Sequence, residues 1–311
     1  MNYIQRRILL SLSVLIIFIL LNSCNNKTKE DNNITLSPEA GTSYKSGDLI
    51  AVKTHYSSGL KPDSVVYLVD LVKVGSQKDS SALTLKTDTM PLGPRIITAK
   101  VYQGGKSQDV STNIVLLPSK APVEYTYKFI KIFPHDTSCY TEGLLYQDGY
   151  LFESGGGTPG EGIGQSSLRK EDLTTGKVLQ KVMIDPKVFA EGISIIGNKL
   201  VQLTWKNPKI GYVYDKDSFK LLSTFNNNVG VEGWGLCFDG ERLYMDDSTN
   251  RIWFLNKDTY QQTGYIDVYD NKGAINEINE LEYIDGKLYS NIYKTNTIIV
   301  IDPKTGAVLK K

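Results

Sequence analysis

The sequence predicts an all-β protein in which an immunoglobulin-like sandwich precedes a β-propeller. Three observations carry that reading. Glycine and tyrosine are abundant, at 27 and 19 of 311 residues, amid frequent Val, Ile and Thr, which suits many short strands separated by turns. Between residues 34 and 118, apolar and polar residues alternate over short stretches. From residue 123 onward, one pattern returns with a period of about 40 to 50 residues.

Composition narrows the functional classes. With 41% apolar and 22% charged residues the chain is ordinary globular material, longer than one average domain, and neither collagenous, coiled-coil nor wholly disordered. Lys and Arg number 35 against 34 Asp and Glu, so no basic footprint for nucleic acid exists. Two histidines, His55 and His135, and three cysteines, Cys24, Cys139 and Cys237, are too few for a typical structural zinc site or a His-rich catalytic metal centre.

Residues 1–24 read as an export signal: Arg6 and Arg7, then an apolar run from Ile8 to Leu21 broken only by Ser11 and Ser13. That run is short for a membrane span. Its end, Leu21-Asn22-Ser23-Cys24, resembles a bacterial lipoprotein signal. The resemblance implies that Cys24 is acylated, becomes the new N-terminus and anchors an exported protein on the periplasmic or cell-surface side of a membrane. A plain cleaved signal or an uncleaved anchor is the alternative. Residues 25–33 hold no apolar side chain and read as a flexible tether.

In the region 34–118, candidate strands are Leu49 to Lys53, Ser64 to Val69, Ala82 to Leu85, Arg95 to Tyr102 and Ser111 to Leu116, separated by Gly, Pro and Ser clusters. Six or seven such strands fit an immunoglobulin-like sandwich. No cluster of titratable residues marks it for chemistry, so it reads as a spacer or interaction module. Pro118 to Pro122 reads as the linker to the region 123–311.

The repeat of that second region begins with a carboxylate, followed by a short apolar strand, a Gly-containing turn and a second strand. It is found at Glu142-Gly143-Leu144, Glu191-Gly192-Ile193, Glu232-Gly233-Trp234 and Glu280-Leu281-Glu282. A second mark travels in register: Asp172 with Thr175, Asp215 with Ser218, Asn256 with Thr259 and Asp302 with Thr305. An Asx residue three before a hydroxyl suits the tight turn between the outer strands of a propeller blade.

First strands line a propeller's central channel, so Glu142, Glu191, Glu232 and Glu280 are expected to converge near one mouth. Carboxylates sharing a cavity raise one another's pKa and supply a proton-transfer group. The structural alternative is that each bonds backbone amides of a neighbouring blade. Tyr140, Trp205, Trp234 and Tyr293 lie near strand starts or beside them and would wall the pocket, whereas Trp253 reads as core.

Several stretches then match one family in order: Phe133-Pro134-His135-Asp136, Tyr140-Thr141-Glu142-Gly143-Leu144, Leu151-Phe152-Glu153-Ser154, Ser166-Ser167-Leu168-Arg169, Phe189-Ala190-Glu191-Gly192, Glu232-Gly233-Trp234-Gly235-Leu236 and Asn279-Glu280-Leu281-Glu282-Tyr283. Together with Thr175-Gly176-Lys177-Val178, they resemble the glutaminyl-peptide cyclotransferases of plant and bacterial type. The resemblance implies a five-bladed propeller that turns the N-terminal glutamine of peptides or proteins into pyroglutamate with loss of ammonia. It implies Glu191 as the proton shuttle. Tyr140, Trp205, Trp234 and Tyr293 position the substrate, and Asn279 either donates a hydrogen bond to its carbonyl oxygen or grips the peptide backbone. Glu142 and Glu280 join the substrate-binding set. No cofactor and no metal is implied, and the chain is expected to act as a monomer.

This sequence departs from the family's pattern in places. Glu142 stands where Gln is common, and Tyr140 and Tyr293 replace a Phe and a Trp. An extra carboxylate at Glu142 disfavours ionisation of Glu191 if the two are close. The run Gly155 to Gly164 is expected to form a mouth loop and is no phosphate cradle, since no Lys-Ser/Thr helix start follows. Cys139 and Cys237 are expected to be free, their blades not being adjacent. Four repeats and a leading strand, Glu124 to Phe133, fill the region 123–311, one blade short of five. The family's terminal Gly-Lys and Trp-Pro segment has no counterpart, so the sequence reads as part of a longer protein. The competing reading is a catalytically silent propeller that binds a peptide or glycan.

Overall fold

The computed structural model describes residues 34–57, 61–157, 164–206 and 208–311. The export signal, Cys24 and the tether 25–33 lie outside these described residues.

Among the described residues, eight strands build the first region: β1 (Ile34–Ser37), β2 (Thr42–Lys45), β3 (Leu49–Tyr56), β4 (Ser64–Val69), β5 (Val72–Gln77), β6 (Leu83–Lys86), β7 (Gly93–Gln103) and β8 (Lys106–Leu117). They form two sheets, β1-β3-β6 and β2-β8-β7-β4-β5. Alternation decides which side chains face inward. β3 buries Ile50, Val52 and Thr54 and exposes Leu49, Ala51 and Lys53. Val65, Tyr67, Ile97, Ala99, Ile114 and Leu116 meet Ile50 and Val52 in one core between the sheets. β5 escapes the sequence reading because it buries little: Val72 and Val74 stay exposed, and it is held by its ladder to β4.

Among the described residues, the second region has four antiparallel four-stranded sheets. The first holds β9 (Tyr140–Gln147), β10 (Tyr150–Gly156), β11 (Ser167–Asp172) and β12 (Val178–Met183). The second holds β13 (Ala190–Ile196), β14 (Lys199–Thr204), β15 (Ile210–Asp215) and β16 (Leu221–Asn226). The third holds β17 (Leu236–Phe238), β18 (Arg242–Asp246), β19 (Arg251–Asn256) and β20 (Gln262–Asp267). A short hairpin, β21 (Tyr269–Asp270) and β22 (Gly273–Ala274), precedes the fourth, which holds β23 (Ile278–Ile284), β24 (Lys287–Ile292), β25 (Ile298–Ile301) and β26 (Val308–Lys310). Strand order within each sheet follows chain order, as propeller blades require.

Both repeated marks acquire physical causes. In each blade the Asx side chain closes the turn between the third and fourth strands: Asp172 Oδ1 accepts from the Thr175 amide and hydroxyl at 2.8 Å, Asp215 does the same for Ser218, and Asn256 accepts from the Thr259 amide. Asp302 accepts from the Thr305 hydroxyl at 3.1 Å. The glycines mark where one blade's backbone meets the next. A Cβ at Gly143 would lie 2.9 Å from Gly192 Cα, one at Gly192 would lie 2.8 Å from Leu236 N, and one at Gly235 would lie 2.8 Å from Leu281 N. Apolar clusters then fill the wedges between blades, with Leu168, Ile193 and Leu200 between the first two and Val201, Leu236 and Leu243 between the second and third.

Two expectations need correction. Glu124 to Phe133 forms no strand; its backbone touches the fourth blade only at its start, where Val123 and Tyr125 bond Leu309 and Lys311. With no ladder to lie on, Tyr127, Phe129, Ile130 and Ile132 remain exposed. Part of the expected mouth loop is strand instead. Gly155 and Gly156 belong to β10 because Cys139, Phe189 and Glu142 pack where their side chains would be, while residues 158–163 lie outside the described residues.

Candidate active site

Three of the repeated carboxylates stand at the same local irregularity. In β9 the pairing with β10 slips between Ser154 and Gly155 so that Glu142 is the extra residue. In β13 it slips between Ala190 and Ile193, around Glu191. In β23 it slips between Ile278 and Leu281, around Asn279 and Glu280. A bulge re-aims a side chain that would otherwise alternate across the strand. The third blade departs: Glu232 precedes β17 altogether.

Glu142, Glu191 and Asn279 line a cavity of about 340 Å³ whose remaining walls are aromatic: Tyr140, Phe189, Trp205, Trp234 and Tyr293. Trp205 meets Phe189 edge-on at 5.8 Å, and Trp234 meets Tyr293 edge-on at 5.2 Å. The wall therefore draws on all four blades and the turns between their strands.

Glu232 and Glu280 do not line the cavity, although convergence was expected of all four glutamates. Glu280 reaches across the channel instead, its Oε1 accepting from the Leu144 amide at 3.2 Å, which joins the fourth blade to the first. Its substrate-binding assignment is thereby corrected. Glu232 lies behind the aromatic wall, where its Oε2 accepts from Trp205 Nε1 at 2.7 Å and from Trp234 Nε1 at 2.8 Å. Lys206 sits 3.7 Å over the Trp205 ring and 3.7 Å from Glu232 Oε1.

Electrostatics separate the cavity groups from ordinary surface acids. Glu191 is 5% exposed. Burial, then the nearby charges of Glu142, Glu280, Asp246 and Glu232, holds its carboxyl well above the usual carboxylate range. Burial pushes Glu142 up to about 7. Asp246 and Glu280 are also raised, chiefly by burial, and Asp246 Oδ2 and Glu280 Oε2 accept no hydrogen bond. These buried carboxyls therefore hold their protons more tightly than surface acids do.

Of the residues expected from the sequence, Tyr140, Glu142, Glu191, Trp205, Trp234, Asn279 and Tyr293 meet in this one cavity. Phe189 was overlooked as a wall residue, although it stands two positions before Glu191. Asp246, fully buried beneath Gly235, carried no sequence signal because it ends β18 rather than starting a blade. Cys139 and Cys237 are free, as expected, with thiols pushed up by burial, Cys139 to about 12.

Comparison with known proteins adds three findings. A family profile described as glutamine cyclotransferase matches residues 97–311. The glutaminyl-peptide cyclotransferase of Arabidopsis thaliana is 35% identical over 178 residues, 57% of this chain and 53% of its own, so the chain spans about half the length of that curated relative. The crystal structure of Myxococcus xanthus glutaminyl cyclase superposes with a TM-score of 0.55 at 30% identity, over 61% of this chain and 77% of that one.

Proposed function

Because this chain belongs to the glutamine cyclotransferase family, we propose that it cyclises the N-terminal glutamine of peptides or proteins to pyroglutamate and releases ammonia. The observation that carries the reading is a buried Glu191, its carboxyl held well above the usual range, lining an aromatic cavity beside Glu142.

The chemistry follows from the groups present. The substrate's α-amine, with a pKa of about 7.7 to 8.0, is partly neutral near pH 7 and attacks its own γ-carboxamide carbon. Ammonia leaves only if the amide nitrogen is protonated. Glu191 as a neutral acid gives its proton to that nitrogen and receives one from the attacking amine, ending the cycle as it began. The aromatic walls hold the glutaminyl side chain in the folded, near-attack geometry and offset the rotamer freedom it loses. Asn279 steadies the carbonyl oxygen as charge develops or grips the peptide backbone. Glu142, when ionised, attracts the substrate's ammonium group.

The rest of the chain fits a surface enzyme. The Leu21 to Cys24 motif supports a lipoprotein anchor on the exported face of a membrane. The two-sheet arrangement with β2 parallel to β8 supports an immunoglobulin-like spacer, and on this reading the enzyme acts as a monomer. Ammonia release from a Gln-initiated dipeptide tests the activity. A Glu191→Gln variant that keeps peptide affinity and loses ammonia release supports the enzyme. Peptide binding with no ammonia release by the parent protein would instead make the domain a binding module.

A further inference from the structure

Behind the first blade, away from the cavity, a second polar cluster joins the Phe133-Pro134-His135-Asp136 segment to β10 and β11. His135 Nε2 lies 2.8 Å from Glu153 Oε1, and the Thr141 hydroxyl donates to the same oxygen. Glu153 and Glu171 are almost fully buried, at 0% and 1% exposure. One donor atom from each of His135, Glu153 and Glu171 falls within 4.8 Å of the other two.

One feature of this cluster is left unexplained by packing. Glu153 Oε2 and Glu171 Oε1 are buried and accept no hydrogen bond, although both carboxylates sit where unsatisfied oxygens are costly. Arg169 reaches the edge of the cluster, 3.3 Å from Asp136 and 3.9 Å from Glu171. His135, whose side chain is 38% exposed, leaves a path to solvent.

We propose that His135, Glu153 and Glu171 form a binding site for a divalent cation of the zinc type that takes no part in the reaction. One imidazole and two carboxylates are the borderline N/O donor set such ions take, and water completes a tetrahedron. Ligand atoms of that geometry lie about 3.4 Å apart, so the cluster needs only a modest contraction of two glutamate side chains. A dication gives the orphaned oxygens a partner. It also clamps the segment around His135 to β10 and β11, and so steadies the start of β9, from which Tyr140 and Glu142 reach the cavity.

The test is titration of the full chain with Zn²⁺ alone by calorimetry near pH 7 after chelator treatment, alongside His135→Gln and Glu171→Gln. Binding of one equivalent, a thermal midpoint raised by Zn²⁺, and affinity weakened roughly tenfold or more in both variants is the expected result. Variant folding is checked by the unfolding midpoint in chelator; should Glu171→Gln fail to fold, the more exposed His135→Gln decides alone. No saturable binding to the parent protein, or binding unchanged in the folded variants, overturns the proposal. Binding abolished instead by Glu191→Gln would put the ion in the aromatic cavity and overturns it equally.

Discussion

Trp205 and Trp234 come from different blades, yet their indole N–H groups converge on one oxygen, Oε2 of Glu232, at 2.7 and 2.8 Å. The two largest walls of the cavity are thus set by a single carboxylate that never enters it. Hydrogen bonds to a charged group are worth about 1.5 to 3 kcal/mol each. Glu232→Ala is therefore expected to raise KM about tenfold or more, while kcat falls less, and to alter tryptophan fluorescence. Unchanged kinetics and fluorescence would show that packing alone holds the indoles.

Glu191→Gln keeps the size and burial of the side chain and removes its exchangeable acid. Loss of positioned proton transfer is worth roughly a hundred- to ten-thousandfold in kcat. The expected result is a kcat reduced on that scale with KM little changed, measured by continuous ammonia detection. A variant retaining most of its kcat would move the proton shuttle to another residue.

The two cavity glutamates also make a joint pH prediction. Glu142's charge helps hold Glu191's carboxyl high, and Glu191 must keep its proton to assist the leaving amine. Removing that charge in Glu142→Gln lowers Glu191's pKa, so the alkaline fall in kcat should begin at lower pH than in the parent. A pH profile whose alkaline limb stays in place would separate the two groups electrostatically.

Stability carries its own pH signature. Glu142 is raised to about 7 in the folded chain from an ordinary value near 4.5. The folded state therefore binds more protons across that window, and its contribution, fully present below about 4.5, is lost as pH rises through about 7. Denaturant midpoints should decline less over this interval in Glu142→Gln than in the parent. Parallel curves would mean that the carboxyl titrates alike in the folded and unfolded chains.

The interblade glycines predict a packing cost. A Cβ at Gly192 would run into Trp234 O and Leu236 N, both backbone and unable to rotate aside. Gly192→Ala is expected to cost about 1 to 3 kcal/mol, read from a denaturant midpoint shifted without change in slope. A neutral substitution would show that the blades separate at little cost.

What the sequence made legible was local. Asp172 and Thr175, or Asp215 and Ser218, bond across three residues, so their spacing alone announces the turn. The carboxylates at Glu142, Glu191 and Glu280 were visible as a repeat, but the bulges that aim them were not, because a bulge is a relation between two strands. Glu232 shows the limit most clearly. It occupies the repeat's first position, yet β17 starts only at Leu236, and the freed glutamate turns to the tryptophans instead of the cavity. Glu280 was misplaced for a similar reason: its partner, the Leu144 amide, lies 136 residues away.

That same long-range contact orders events in time. Each outer hairpin is closed by its own Asx turn and can form within microseconds, blade by blade, as the chain emerges. Glu280 cannot find Leu144 until all four blades stand in place, and only then do Tyr140, Glu191, Trp234 and Asn279 share a cavity. The site is the last part of the domain to exist. A refolding chain regains its β signal while still inert.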